Sequence, residues 1–379
     1  MRTEPLFVFI LWDIVKPFRF LLFSWIVLAS CTPDKKSALP SKIDSLMSTV
    51  PDFSGVVMVA DQGKPVYFKS FGFLNYNTQT PLDTTALFEL ASVSKQFTAM
   101  TIMMLKEEGK LNYEDSLKFF IPELPYKGIT LRHLLNHTSG LPDYQSIMDQ
   151  YWDKSNVADN NDCIEYLVKH HPPVHFAPGS KYEYSNTGYM LLATIAEKAS
   201  RTDFIEFVRQ RIFKPVRMQH TDIRSKEEKL KLPNFAWGHL YVPEKSQYVP
   251  ADSFPSFNYT IWLGNRKGPG RISSSARDLL QWDQALYTDK LVSNETLSQA
   301  YSPAQLTTDS VSQYGFGWMI RQSEMGKVVH HSGSNPGYNT HIVRYLEVNK
   351  TIILLCNNAH DKFKELLNAM EGLILANPD

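Results

Sequence analysis

The sequence predicts an α+β protein. An antiparallel sheet is built from strands at the two ends of the chain and flanked by helices, and a mostly helical lobe is inserted between its early and late strands. Three observations lead there. Two runs rich in β-branched and aromatic residues, Phe53–Ala60 and Pro65–Gly72, flank the turn "DQGK" and read as a hairpin. From about 86 to 304 the apolar residues recur at helical spacing. Strand-like runs return from about 305 to 376, so the sheet lobe is expected at about 43–85 and 305–376 and the helical lobe at about 86–304.

Taken in order, the chain opens with a leader. Lys16 and Arg19 precede the apolar run "LLFSWIVLAS", Leu21–Ser30, which is too short to span a bilayer but suits the core of a signal peptide. The run ends in "LASC", which resembles a bacterial lipoprotein lipobox with Cys31 as the lipidated residue. Residues 1–31 are therefore expected to be a lipoprotein signal peptide and 32–42 a polar tether. The domain proper is expected over 43–376, held at the cell envelope through its lipid anchor. After the first hairpin, "FTAMTIMMLKEEGK", "TGYMLLATIAEKAS", "DFIEFVRQRIF" and "SARDLLQWDQALYT" read as helices, the last with Ser275 as N-cap. Leu240–Trp262 has weak periodicity and several prolines and aromatics, and reads as a long loop lining a cleft between the lobes. "YGFGWMI", "KVVHH", "YNTHIVRYL" and "KTIILLC" read as strands, and "KFKELLNAMEGLILA" as a closing helix.

Composition excludes some classes of function. Lys+Arg and Asp+Glu number 39 each, so the balanced charge argues against a nucleic-acid partner. Cys163 and Cys356 alone make no disulfide framework, and Cys356 reads as an inert buried residue. His133 and His137 stand four apart, and His170, His171 and His175 form a second group. The first pair lacks the glutamate of H-E-x-x-H, and prolines break up the second, so no metal and no cofactor is expected.

The chemistry begins at Ser92 and Lys95 in "LFELASVSKQFTAM". Three residues apart on a helix, they share a face, and a lysine is costly in such an apolar stretch unless paired. Desolvation lowers a lysine pKa and makes it a base, which a serine hydroxyl needs to become a nucleophile. Two further motifs follow in order: Tyr184-Ser185-Asn186, and His331-Ser332-Gly333 next to apparent strand sequence. Together with "LLNHTSGLPDY" and "GPGRISSSARDLLQW", this order is similar to the serine β-lactamase and penicillin-binding-protein superfamily, with its β-lactamase/transpeptidase-like fold. The tyrosine resembles class C β-lactamases and their relatives, including D-Ala-D-Ala carboxypeptidases, D-aminopeptidases and esterases of that fold.

The resemblance implies roles. Ser92 is the nucleophile that forms an acyl-enzyme. Lys95 and Tyr184 pass the proton, with either as base. Asn186 holds Lys95 and the substrate amide, and the backbone amides of Ser92 and Ser334 form the oxyanion hole. Ser332 and Gly333 line the substrate, and His331 stands where β-lactamases usually carry lysine. The expected activity is a cell-envelope serine hydrolase acting on esters, amides or D-amino-acid peptides, peptidoglycan fragments among them. An esterase or peptidase is favoured over a β-lactamase because a neutral histidine gives a substrate carboxylate little attraction. The alternatives are a penicillin-recognising carboxypeptidase or class C-like β-lactamase and, in another class, a catalytically weak binding or scaffold protein.

Overall fold

The structure, a computed structural model, describes residues 38–377. The leader, Cys31 of the lipobox and the tether up to Ser37 lie outside the described residues. Helix α1 (Leu39–Met47) begins inside the stretch that reads as tether. Leu39, Ile43 and Met47 recur at every fourth residue and are buried, so one stripe docks while the polar residues between face outward. The proline and the polar residues of "SALPSK" hide this stripe in the sequence.

Strands β1 (Gly55–Asp61) and β2 (Lys64–Phe71) form the early hairpin. Helices α2 (Lys95–Glu107), α3 (Asn186–Ser200) and α4 (Ala276–Ala285) belong to the middle of the chain. Strands β3 (Met319–Ser323), β4 (Gly326–Asn335), β5 (Tyr338–Tyr345) and β6 (Lys350–Cys356) follow, then helix α5 (Phe363–Leu375). The sheet order is β3-β4-β5-β6-β1-β2, antiparallel throughout. The chain ends meet where β1 pairs β6, with Gly55 opposite Cys356 and Asp61 opposite Lys350.

Alternation along the strands explains why "TIILLC" is apolar throughout. Ile353 and Leu355 join Val56 and Met58 in the core that packs under the helical middle. Ile352, Leu354 and Cys356 join Val57 and Val59 on the opposite face, under residues of α1 and α5. Each such side chain removed from water contributes roughly 1.5–3 kcal/mol, so a sheet covered on both faces needs apolar residues at every position. Cys163 lies in the first core and Cys356 in the second; both are free thiols.

Two segments differ from their sequence reading. The strand expected over "YGFGWMI" starts only at Met319. Gly315 lies so close to the preceding helix that a Cβ there would stand 2.0 Å from the Ala300 carbonyl oxygen, so Tyr314–Trp318 wrap around that helix end as a loop. The long segment 240–262 is more ordered than expected: His239–Val242 pairs with Gln247–Pro250 as a hairpin, and Tyr259–Trp262 forms a helical turn. Its prolines lie at the hairpin's edges and at the starts of 3₁₀ turns, where a missing N–H costs nothing. No helix among the described residues is long and apolar enough to cross a membrane.

Candidate active site

Ser92 lies in a 3₁₀ turn, Ala91–Ser94, and α2 starts only at Lys95. Residues three apart eclipse one another in a 3₁₀ turn, so the turn aligns the Ser92 side chain with that of Lys95 at the start of the helix. Ala91 is held at φ +48°, a conformation that costs a non-glycine residue about 1–3 kcal/mol. The turn is fixed by Leu90 N–H donating to the Ile272 carbonyl at 2.8 Å and Val93 N–H donating to Leu90 at 3.2 Å. Ser92 is partly exposed, whereas Ser94 is buried and its Oγ accepts the Ile272 N–H at 3.2 Å.

Lys95 is fully buried. Its Nζ lies 3.1 Å from Ser92 Oγ, 2.8 Å from Asn186 Oδ1 and 2.9 Å from the Pro269 carbonyl oxygen. Burial, and then the nearby positive charge of Arg266, push its pKa well below the usual lysine value. The two carbonyl oxygens can only accept. In the neutral amine they take both N–H bonds, which leaves the lone pair for the Ser92 hydroxyl.

Asn186 is the first residue of α3, and Ser185 is its N-cap, accepting the Gly188 N–H at 3.3 Å. Tyr184, just before the cap, places its ring centroid 4.7 Å from Lys95 Nζ. Burial raises the Tyr184 pKa, and hydrogen bonding with Ser92 opposes the shift. The residue is still 36% exposed, so solvent moderates the rise, but the direction keeps the phenol protonated at neutral pH.

Strand β4 carries the third motif. Gly333 pairs with Thr340, whose Oγ1 donates to the Leu90 carbonyl at 2.8 Å. A Cβ at Gly333 would stand 2.1 Å from Leu90 O and 3.1 Å from Ser92 N. Only glycine lets β4 approach the nucleophile turn this closely. Ser332 and Ser334 alternate with the buried His331 and Gly333 and are exposed. His331 Nδ1–H donates to the Ser332 carbonyl at 2.6 Å, so its Nε2 is an acceptor, 2.9 Å from the Tyr314 hydroxyl. Burial first and Lys95 second push the His331 pKa down to about 3. Its Nε2 partner is thus Tyr314 rather than Tyr184, whose ring is 6.1 Å away.

Three residues of this site escaped the sequence reading as site residues. His137, at φ +59°, accepts the Ser185 N–H at 3.1 Å and packs against Tyr184 at 4.3 Å and Tyr314 at 4.5 Å. Tyr189 puts its ring 5.6 Å from Lys95 Nζ; its spacing of three from Asn186 was the available signal. Tyr314 lies in a glycine-rich loop with no periodic signal. The histidines considered as ligands have other duties: His133 Nδ1 accepts the Thr130 N–H, and His170 stacks on Tyr151. Among the described residues no group of three or more His, Cys, Asp or Glu is arranged to hold a metal ion.

Beyond the end of β4 a cavity of about 340 Å³ opens, lined by Asn335, Pro336, Pro250, Tyr259 and Arg266 among others. The segment read as lining a cleft does contribute to it.

The Beta-lactamase family profile matches residues 43–376. The chain belongs to this family. Penicillin-binding protein 4* of Bacillus subtilis (strain 168) is 40% identical over 86% of this chain and 73% of its own length. Protein flp of Staphylococcus aureus (strain MW2) is 27% identical over 79% of this chain and 59% of its own length. Among solved structures, the octameric penicillin-binding protein homologue from Pyrococcus abyssi superposes with a TM-score of 0.74 at 27% identity, covering 89% of this chain and 76% of that one. Family membership and these relatives support a serine hydrolase of the β-lactamase family.

Proposed function

We propose that Ser92 is acylated by esters, amides or D-amino-acid peptides and released by water, with Lys95 as the base. The observation that carries this is the Lys95 amine, buried, with no carboxylate in ion-pair distance among the described residues, and set between two carbonyl acceptors and Ser92 Oγ. Neutral Lys95 takes the Ser92 proton as Oγ attacks the acyl carbon. The Ser92 and Ser334 amides receive the oxyanion. Protonated Tyr184 donates to the leaving group and takes back the proton that Lys95 removed from Ser92, the ammonium lying over its ring. A water then attacks the acyl-enzyme by the reverse relay. Because the Tyr184 pKa is raised, it suits the acid rather than the base. A scaffold protein would have no need of a desolvated amine aimed at a half-exposed serine.

The test is labelling by a fluorophosphonate and by a fluorescent penicillin, on wild type and Ser92→Ala. We expect one fluorophosphonate adduct, mapped to the Ser92 peptide and absent from the variant. No adduct, or one on Ser94, rejects the reading.

An esterase or peptidase is favoured over a β-lactamase. His331 is neutral and both its nitrogens are engaged, so this position offers no cation to a substrate carboxylate beside the leaving group. Lys95 must be neutral to act, and its pKa is lowered. Activity is therefore lost as pH falls through that pKa and persists as pH rises toward 8.5. With a pKa of about 3, His331 stays uncharged throughout and contributes no inflection near 6.5. A kcat/KM profile for a nitrophenyl ester from pH 5.5 to 8.5 checks this; a rate that falls on the alkaline side of 6.5 contradicts it.

The envelope location is likewise a proposal, resting on "LASC" at Leu28–Cys31 and the basic, apolar leader before it. Cys31→Ser is expected to move the protein out of the membrane fraction with unchanged specific activity in detergent. A mature N-terminus several residues away from Cys31, with no lipid mass, argues for a plain signal peptide.

A further inference from the structure

The cavity beyond β4 carries an unbalanced charge. Its wall holds four cations, Lys226, Lys229, Arg266 and Arg271, and two carboxylates, Glu89 and Asp252. Both carboxylates are committed: Glu89 pairs with Lys229, and Asp252 with Lys226 at 2.6 Å. Among the described residues neither guanidinium has a carboxylate within ion-pair distance. Arg271 donates to the Arg224 carbonyl oxygen at 3.0 Å, and Arg266 donates to the Tyr144 hydroxyl while its Nε–H is buried with no acceptor. Both arginines are partly withdrawn from water, a guanidinium there is better off with an anion, and its donor fork fits a carboxylate.

The cavity also has a direction relative to the chemistry. His331, Gly333 and Asn335 follow one another along β4. Tyr184, the leaving-group acid of the proposed reaction, lies at the His331 end. Gly333 abuts Ser92, and Asn335 with Pro336 opens the cavity. The leaving group departs at one end, so the acyl chain of the substrate extends toward the other. Two residues of strand put the cavity mouth roughly 7 Å from the nucleophile turn.

We propose that this cavity is the acyl-side subsite and that it selects acyl groups bearing a carboxylate four to six carbons from the scissile carbonyl, seated between Arg266 and Arg271. Phe235, Trp237 and Tyr338 supply apolar wall for the intervening carbons. The inference rests on the acyl-enzyme reading above and names the substrate class of that site. A carboxylate would then be read on the acyl half of the substrate, not beside the leaving group, where His331 offers no cation.

The test compares mono-4-nitrophenyl glutarate and adipate with 4-nitrophenyl pentanoate and hexanoate, matched in chain length. Wild type is expected to prefer the anionic esters in kcat/KM by roughly tenfold or more, the effect of at least one charge-assisted hydrogen bond. The preference should shrink with added salt. Arg271→Gln should lower the ratio several-fold, and the Arg266→Gln/Arg271→Gln double variant should bring it near one. Fluorophosphonate labelling reports whether each variant is folded, and the wild-type ratio is decisive even if one is not. Neutral esters turned over at Ser92 with equal or better efficiency overturn the subsite alone. If no ester of either kind acylates Ser92, the hydrolase reading fails with it.

Discussion

Lys95→Ala is expected to lower kcat by roughly 10²–10⁴-fold, and adding Tyr184→Phe to it should lower kcat little further. The structure gives the reason for the coupling. Lys95 Nζ, Ser92 Oγ and the Tyr184 ring form one cluster, with Nζ 3.1 Å from the serine oxygen and 4.7 Å from the ring centroid. In the proposed relay the proton leaving Ser92 goes to the buried Lys95 amine, and the phenol is recharged from it. Once either member is gone, the relay is already broken. The Lys95→Ala cavity also strands the Asn186 amide oxygen and the Pro269 carbonyl that held the amine. Lys95→Met, which fills that space without supplying a base, separates lost chemistry from lost packing. Single-turnover rates on a nitrophenyl ester for both single variants and the double variant make the measurement. Losses that multiply across the double variant would mean that the two residues act independently.

Gly333→Ala is expected to reduce kcat/KM by about 10²–10³-fold, the scale of losing an oxyanion donor. The new methyl would meet Leu90 O at 2.1 Å and Thr340 Oγ1 at 2.4 Å, distances no Cβ tolerates. Because the nearest of these atoms is backbone, β4 must move away from the nucleophile turn. Ser334 is the next residue, so its amide moves with the strand and the pair formed with the Ser92 amide opens. Overpacking of this kind also costs about 1–3 kcal/mol of stability, so denaturant unfolding is measured beside the kinetics. A variant that is destabilised yet fully active would show that β4 supplies no part of the catalytic gap.

The sequence by itself determined the family and, through that resemblance, the reacting groups proposed here. Ser92 and Lys95 are three residues apart, Tyr184 and Asn186 flank a helix cap, and His331-Ser332-Gly333 sits in a strand; local spacing expresses all three relations. It also determined the sheet, because "FSGVVMVA" and "KTIILLC" are apolar at successive positions and so demand cover on both faces. What local pattern does not encode is which distant groups share a volume. That Pro269 lends its carbonyl to Lys95 across 174 residues, that Tyr314 takes the His331 lone pair, and that His137 props the turn before α3 depend on the packing of separate elements. The same holds for protonation. Sequence left either Lys95 or Tyr184 as the base, yet burial raises the tyrosine pKa against its hydrogen bond with Ser92, while desolvation lowers that of the lysine. Residue types and spacing fix which groups can react. Desolvation and the partners brought together by tertiary packing fix which of them holds the proton.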